Sequence, residues 1–268
     1  MNPNKALWEK GDFTRISACM RRSGEELVDR IGLGAGQKVL DLGCGDGTTA
    51  VPAARRGAEV LGVDIAPNLV EAGNRRAREE GLTNLRFVEG DASDLSEHED
   101  SSFDISVSIF GAMFAPKPED VAKEMVRVTR PGGRIVMGNW IPGDPTLVAQ
   151  ILRISSAYAP PPAGAVSPMR WGVEEDVVER FGGAGVPEDR ISFVPDTFTF
   201  RSEKSPSEFL DLWSTFYGPT MNAFEAAEAA GREEELHAEL SELFNAQNRA
   251  SDGSTVIDAT FLRVTVDL

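Results

Sequence analysis

Short apolar runs alternate with amphipathic stretches between residues 37 and 140 of this chain. The apolar runs predict five β-strands, at 37–42, 58–63, 85–88, 103–109 and 133–140. The stretches between them predict helices at 47–56, 67–80 and 118–129. In the last of these, Val121, Met125 and Val128 recur at the spacing of one buried helix face. Strands that alternate with helices indicate parallel βαβ units whose sheet is covered on both faces.

The pattern changes on both sides of this alternating region. Residues 1–30 favour helix, and we interpret them as an N-terminal lid. Two later regions, 142–172 and 204–250, are interpreted as a cap over a substrate; the first is rich in proline and the second is largely helical and acidic. The segments 173–203 and 251–268 are expected to complete the sheet, with a helix at 174–182 and strands at 191–200 and 256–267. These two strands are too far apart for a tight hairpin, but they can pair while the helices between them form a separate layer.

Composition narrows the function classes. The chain has 268 residues and a net charge of -16, and its longest basic clusters are the pairs Arg21-Arg22 and Arg75-Arg76. Such a surface repels phosphate backbones, so we expect no nucleic-acid partner. Two cysteines and two histidines indicate neither a metal site nor a disulfide framework. There is no apolar run of membrane length and no signal-peptide pattern, so we expect no membrane partner and a cytoplasmic protein. The oligomeric state stays open.

A glycine-rich turn follows the first predicted strand, in the sequence VLDLGCGDGT at 39–48. Glycines at this place let a ligand approach the backbone closely, although the motif alone fits many nucleotide-binding folds. Asp64 ends the second strand, where a carboxylate can accept hydrogen bonds from both ribose hydroxyls. Asp91 follows the third strand, where a carboxylate can accept one from an adenine amino group. These positions share the sheet edge at which open α/β folds bind ligands, so we expect a nucleoside site there.

Five motifs occur in order along residues 39–140: VLDLGCGDGTT (39–49), LGVDIAPNLVEAG (61–73), FVEGDASDL (87–95), FDISVSIFGAMF (103–114) and VTRPGGRIVMGNW (128–140). In these motifs the chain resembles the class I S-adenosylmethionine (SAM)-dependent methyltransferases. It is most similar to the small-molecule branch around the ubiquinone- and menaquinone-biosynthesis enzymes (methyltransferase type 11/25). The resemblance implies an α/β fold: a Rossmann-like, seven-stranded, mainly parallel sheet with helices on both faces and a helical substrate cap. It places a SAM-binding core at 31–141, with S-adenosylhomocysteine (SAH) as the product.

The resemblance also assigns residues to the cofactor. Those implied to bind SAM follow the strand ends: Asp41, Gly43, Gly45, Asp64, Ile65, Asp91, Ala92 and Ile109. The first three would surround the methionine moiety, Asp64 would hold the ribose, and Ile65 would lie against the adenine ring. Asp91 and Ala92 would contact the adenine edge, and Ile109 would border the sulfonium.

The acceptor side is predicted from aromatic residues near the ligand edge and in the lid. We expect five of them to line an apolar substrate pocket: Trp8, Phe13, Phe110, Phe114 and Trp140. Methyl transfer to a small, partly apolar acceptor is an in-line displacement that alignment and desolvation can accelerate, so the catalytic residue stays unknown. Candidates for a general base are weak, since their surroundings favour surface or packing roles: His98, His237, Tyr158 and Tyr217. Asn139, at a strand end, is a further possible polar contact.

The sequence also bears on three other functions. An NAD-dependent oxidoreductase is disfavoured because its fingerprint is G-x-G-x-x-G, whereas this turn has Gly43, Gly45 and Gly47. A protein or peptide methyltransferase stays open, although the motif for amino-group methylation, Asn/Asp-Pro-Pro-Tyr/Phe, is replaced by SIFG at 108–111. A SAM- or SAH-binding protein without transfer activity also stays open. The sequence leaves undecided whether oxygen, nitrogen, carbon or sulfur is methylated.

Overall fold

The computed structural model describes residues 4–162 and 164–268, so the first three residues of the predicted lid and Ala163 of the predicted cap lie outside it. One sheet contains the strands β1 Lys38–Leu42, β2 Glu59–Asp64, β3 Leu85–Glu89, β4 Phe103–Ile109, β5 Thr129–Trp140, β6 Ile191–Ser202 and β7 Thr255–Asp267. Their order across the sheet is β3-β2-β1-β4-β5-β7-β6. Strands β1 to β5 run parallel, and β7 is antiparallel to both β5 and β6. The predicted seven-stranded, mainly parallel sheet is confirmed, and the last two strands pair along their whole length.

The helices of the described chain are α1 Asn4–Lys10, α2 Thr14–Ser17, α3 Arg21–Ile31, α4 Ala50–Arg55, α5 Pro67–Glu79, α6 Pro118–Val128, α7 Leu147–Tyr158, α8 Glu174–Gly183, α9 Pro206–Phe216, α10 Gly218–Ala229 and α11 Glu233–Gln247. No helix within these ranges combines the length and apolar character needed to cross a bilayer. The helix predicted from residue 47 begins only at Ala50, because the preceding turn holds Gly45 and Gly47 at positive φ. Helix α7 was not predicted, because the segment that contains it is rich in proline on both sides of its regularly spaced apolar residues.

Apolar faces explain how the helices pack. The predicted face of α6, formed by Val121, Met125 and Val128, is fully buried, as expected from the 3.6-residue period. Helix α7 buries Ile151 and Ile154 and packs on α10, α11 and β7. Helix α9 begins at a capping box between Ser205 and Glu208 and packs against α11. Helices α7, α9, α10 and α11 thus form a layer next to the β5–β7 end of the sheet.

The strand order changes direction between β1 and β4, which places a crevice at their carboxyl ends. Ser108, near the end of β4, closes this region. Its hydroxyl donates to the carbonyl of Leu42 at 2.7 Å and accepts from the backbone N–H of Ala112 at 2.8 Å. The ends of the two strands, and the turns that follow them, are therefore held together where a ligand would bind.

Candidate active site

A cleft lies at the carboxyl ends of β1 to β4, between the sheet and the N-terminal helices. All eight residues predicted to bind the cofactor line it: Asp41, Gly43, Gly45, Asp64, Ile65, Asp91, Ala92 and Ile109. Four of the five predicted substrate residues also line it: Trp8, Phe13, Phe110 and Phe114. The sequence interpretation did not include several other lining residues, among them Met20, Thr48, Thr49, Gly111 and Phe198. The cleft therefore joins strand ends, the glycine turn and the N-terminal segment.

The glycine turn after β1 forms the floor of the cleft. Gly43 and Gly45 have φ angles of +63° and +55°, a region that other residues rarely adopt. The N–H of Gly43 donates to the carbonyl of Val63 at 2.8 Å, which ties the turn to β2. Gly111 crosses so close that a Cβ on it would lie 2.3 Å from the carbonyl oxygen of Gly43. The two backbones meet with no room for a side chain, so peptide groups form this part of the surface.

Asp64, the last residue of β2, is a fixed and buried carboxylate. One oxygen accepts from the N–H of Gly45 at 2.8 Å and the other from the N–H of Ala66 at 3.0 Å. Burial raises the pKa of Asp64, and these backbone donors act against that rise. A carboxylate oxygen can accept two hydrogen bonds, so each oxygen keeps one acceptor site. Those remaining sites suit a pair of hydroxyl donors.

Asp41, near the end of β1, is only 2% exposed, and one of its oxygens has no hydrogen-bond partner. The pKa of Asp41 is raised to about 8, mainly by burial; the backbone N–H of Ala50 acts against this rise, and the nearby charge of Asp64 adds to it. A buried acceptor without a partner costs about 1–3 kcal/mol. A cationic or donating group bound in the cleft would remove that cost.

Asp91 and Ala92 line the side of the cleft that follows β3. One oxygen of Asp91 accepts from the N–H of Ser93 at 2.9 Å and from its hydroxyl at 2.7 Å. These bonds orient the carboxylate at the end of the strand. Ile65 and Leu69 are apolar neighbours that also line the cleft. An apolar surface next to an oriented carboxylate suits a flat base with an amino group.

A cluster of aromatic rings closes the cleft on the N-terminal side, and we call it the lid cluster: Trp8, Phe13, Phe114 and Tyr217. The ring of Trp8 meets Phe114 at 5.0 Å, Phe13 at 5.7 Å and Tyr217 at 6.0 Å between centroids, all edge to face. The segment that carries Trp8 is tied down at both ends, by ion pairs from Lys5 to Glu89 and from Lys10 to Glu225. Residues 4–20 therefore cover the cleft and reach both the sheet and α10.

A second aromatic group, which we call the sheet cluster, consists of Phe110, Trp140, Phe198 and Phe261. Phe110 stacks on Trp140 with centroids 3.7 Å apart and planes at 8°, and meets Phe198 and Phe261 edge to face at 5.1 Å. Its backbone has a φ of +64°, which is unusual for a bulky residue and is stabilised here by this packing. Trp140 is 3% exposed and does not line the cleft, contrary to its predicted position, because Phe110 stacks against it. Trp140 supports the ring that does line the cleft.

The residues considered as general bases do not line the cleft. His98 packs on Phe103, at the amino end of β4, and His237 is exposed on α11. The hydroxyl of Tyr158 donates to Glu239 on the surface at 2.7 Å. Tyr217 is buried in the lid cluster, and burial raises its pKa. Asn139 is fully buried, and neither polar atom of its side chain has a partner.

The described part of the chain offers no metal site. Residues 4–162 and 164–268 contain no group of three or more His, Cys, Asp or Glu side chains placed to hold an ion. Among the described residues, the polar side chains that line the cleft are those of Asp41, Cys44, Thr48, Thr49, Asp64 and Asp91.

Comparison with known proteins shows the family to which this chain belongs. A model of the methyltransferase domain matches residues 40–137. An uncharacterised protein of Mycobacterium tuberculosis is 32% identical over 90% of this chain and 86% of that protein. The demethylmenaquinone methyltransferase of Paenarthrobacter aurescens is 38% identical over 45% of each chain. The crystal structure of geranyl diphosphate C-methyltransferase from Streptomyces coelicolor, in complex with Mg²⁺, geranyl diphosphate and SAH, shares the fold with a TM-score of 0.53 and 19% identity, covering 92% of this chain and 79% of that one.

The chain belongs to the SAM-dependent methyltransferases, and its cofactor is SAM. The cleft fits this cofactor on its own chemistry. Asp41 has an unpartnered buried oxygen for a cationic group, and Asp64 has free acceptor sites for hydroxyls. Gly43 and Gly45 line the cleft without side chains, so a ligand can approach their backbone closely.

Proposed function

We propose that this enzyme transfers the methyl group of SAM to a small, partly apolar molecule by in-line displacement. The observation that carries the proposal is the division of the cleft into a polar side at the strand ends and an aromatic side under the lid. Bound SAM supplies a methyl group on a positively charged sulfur, which is already activated toward a nucleophile. What the protein must add is alignment and the exclusion of water.

Individual residues have proposed parts in holding the cofactor. Asp41, with the turn at Gly43 and Gly45, would surround the methionine moiety. Asp64 would accept from the ribose hydroxyls and Asp91 from the adenine amino group. Three apolar neighbours would complete the contact: Ile65 and Ala92 at the adenine, and Ile109 at the sulfonium. The support is that all eight residues line one cleft at the carboxyl ends of β1 to β4.

The acceptor would lie between the lid cluster and Phe110. Aromatic rings from residues 4–20 and from the sheet line this side, which favours a molecule small enough to be enclosed. Residues 1–30 would act as the lid, and 142–172 and 204–250 as the cap, around the core at 31–141. The segments 173–203 and 251–268 would complete the sheet, as strands β6 and β7 do. We further propose that the acceptor is not a nucleic acid and that the reaction takes place in the cytoplasm, on the charge and sequence grounds given above.

The test combines binding with turnover. Calorimetry should show binding of SAM and SAH, and isotope-labelled SAM should transfer its methyl group to members of a panel of phenols, enols, amines, thiols and short peptides. Transfer to a free small molecule supports the proposal. Transfer only to peptides would establish the protein or peptide methyltransferase instead. Tight binding of SAM with no transfer across the panel would favour a SAM-binding protein without activity.

A further inference from the structure

In the described part of the chain, the side of the cleft away from the proposed cofactor site is lined by apolar side chains. We call this side the acceptor wall: Trp8, Phe13, Met20, Phe110, Phe114 and Phe198. All six side chains are apolar. Among the described residues that line the cleft, the ionisable ones are Asp41, Cys44, Asp64 and Asp91. These four belong to the strand ends and the glycine turn, where the cofactor is proposed to bind.

Each of these ionisable groups is poorly suited to deprotonate an acceptor. Asp64 already accepts two backbone hydrogen bonds, and Asp91 accepts two from Ser93. Burial raises the pKa of the Cys44 thiol well above its ordinary value, so it stays protonated. Asp41 holds its proton near neutral pH in the free enzyme, because burial raises its pKa to about 8. When bound SAM ionises it, its carboxylate would be paired with the cationic methionine moiety.

Tyr217 adjoins the acceptor wall, since its ring contacts Trp8 and Phe13. Burial raises its pKa, so its hydroxyl remains protonated and cannot act as a base at neutral pH. The two histidines lie on other surfaces of the molecule. Among the described residues, no side chain of the acceptor wall could therefore remove the proton of a neutral alcohol bound there.

From these positions, and resting on the proposed methyl transfer, we infer that the acceptor enters the cleft as its own conjugate base. The chemical class is a flat, conjugated acid, such as an acidic phenol or the enol of a 1,3-dicarbonyl compound. Its flat ring or enol system suits the aromatic side chains of the acceptor wall. The proton is lost to water before binding, so the protein needs no base.

The transfer balances without another reactant. The anionic oxygen of the phenol or enol, or the central carbon of the dicarbonyl enolate, supplies the electron pair for the new bond to the methyl carbon. The carbon–sulfur bond breaks, and its electron pair stays on sulfur, which leaves neutral thioether and neutral methylated acceptor. A negative and a positive charge cancel in this step. Apolar surroundings favour the cancellation, because they solvate separated charges poorly.

The experiment uses the full chain and a series of substituted phenols. Their pKa values should run downward from about 10, the value of the tyrosine side chain, to about 6. SAH formation and the mass of the product are followed between pH 6 and pH 9. We expect kcat/KM at pH 7 to rise about tenfold or more from the weakest to the strongest acids. The rise of kcat/KM with pH should have its midpoint at the pKa of each phenol.

Two variants test whether a tyrosine is the base. In Tyr217→Phe, the midpoint of each pH profile should still follow the phenol. Tyr158→Phe is the matched control, because Tyr158 is half-buried away from the cleft and its hydroxyl donates to Glu239. A midpoint that stays at one pH for every phenol would assign deprotonation to the protein and overturn the inference. Loss of the midpoint in Tyr217→Phe would do the same.

Amines, thiols and simple alcohols serve as the remaining arms. Turnover confined to these acceptors would overturn the inference and leave the proposed small-molecule methyltransferase intact. No turnover with any acceptor, while calorimetry shows bound SAM, would instead remove the proposed function on which the inference rests.

Discussion

The two sides of the cleft are built from different parts of the chain and by different chemistry. The cofactor side comes from strand ends and turns between residues 41 and 111, and its shape depends on backbone contacts such as the crossing of Gly43 and Gly111. The acceptor wall takes Trp8 and Phe13 from the N-terminal segment and Phe198 from β6. Its shape depends on side-chain packing. The cofactor side is therefore formed by neighbouring parts of the chain and fixed by backbone contacts. The acceptor wall is assembled from segments that are distant in the sequence.

Gly111→Ala should have the largest effect, because it adds a side chain where the backbones of Gly111 and Gly43 cross on the cofactor side. A Cβ would lie 2.3 Å from the carbonyl oxygen of Gly43 and 2.6 Å from its Cα, and neither atom can move without the turn. We expect a loss of about 1–3 kcal/mol in the free energy of unfolding. We also expect SAM affinity to fall about a hundredfold or more, as displaced backbone donors would cause. Thermal unfolding and calorimetry measure both.

Gly182→Ala is the matched control for that change. It lies on α8, has no atom within 4 Å of the added Cβ and has no positive φ. Its affinity for SAM should equal that of the wild type. A Gly111→Ala protein that also binds SAM normally would show that the crossing does not shape the cofactor side.

Asp64→Asn should weaken SAM binding about ten- to a hundredfold, or about 1–3 kcal/mol. An amide has a single acceptor oxygen, so it cannot serve the N–H groups of both Gly45 and Ala66 and still accept from a ribose. Calorimetry with SAM and SAH measures the loss. Asp211→Asn, an exposed carboxylate on α9, should leave binding unchanged. Wild-type affinity in Asp64→Asn would contradict the ribose assignment.

Binding of SAM should strengthen about tenfold per pH unit up to about pH 8 and then level off. A cationic ligand favours the ionised form of Asp41, whose pKa burial raises to about 8 in the free enzyme. The unfolded chain ionises this group near pH 3.9, so between about pH 4 and pH 8 the folded state holds a proton that the unfolded state has lost. Stability of the free enzyme should therefore fall as pH rises through that range.

Calorimetry in buffers of different ionisation enthalpy detects the proton that Asp41 releases on binding. Asp41→Asn provides the control, because it removes the titrating group while it preserves the shape of the side chain. Its affinity should vary little with pH over the same range. An equally steep pH dependence in this variant would assign the effect to another group.

Trp8→Ala should have the smallest effect and should fall mainly on the acceptor. Loss of this ring opens the lid cluster, so we expect the KM of the acceptor to rise about fivefold and SAM affinity to change less. Steady-state kinetics with each substrate varied in turn separates the two. Phe224→Ala is the control, since this ring lies on α10 against His237 and away from the cleft. Unchanged kinetics in Trp8→Ala, Phe13→Ala and Phe114→Ala together would refute the acceptor pocket.

The cofactor side was largely predictable because its signals are local. Asp41, Asp64 and Asp91 each follow or end an apolar run, and strand ends of a parallel sheet meet at one edge. Phe198 gave no such signal, since it lines the cleft only because β6 lies beside β7 in the sheet. The sequence also could not separate Phe110 from Trp140, as their stacking order depends on tertiary packing. Helix α7 was missed although its apolar residues recur at helical spacing.

Strand β7 comes after α9, α10 and α11 in the chain, yet it lies between β5 and β6 in the sheet. During synthesis on the ribosome, β1 to β5 can therefore pair as soon as they emerge. β6 must wait for a partner that is translated more than 50 residues later. We expect a nascent chain to assemble early the sheet edge that is proposed to bind adenosine. Phe198, which is proposed to help select the methyl acceptor, should take its place only after residues 255–267 have left the exit tunnel.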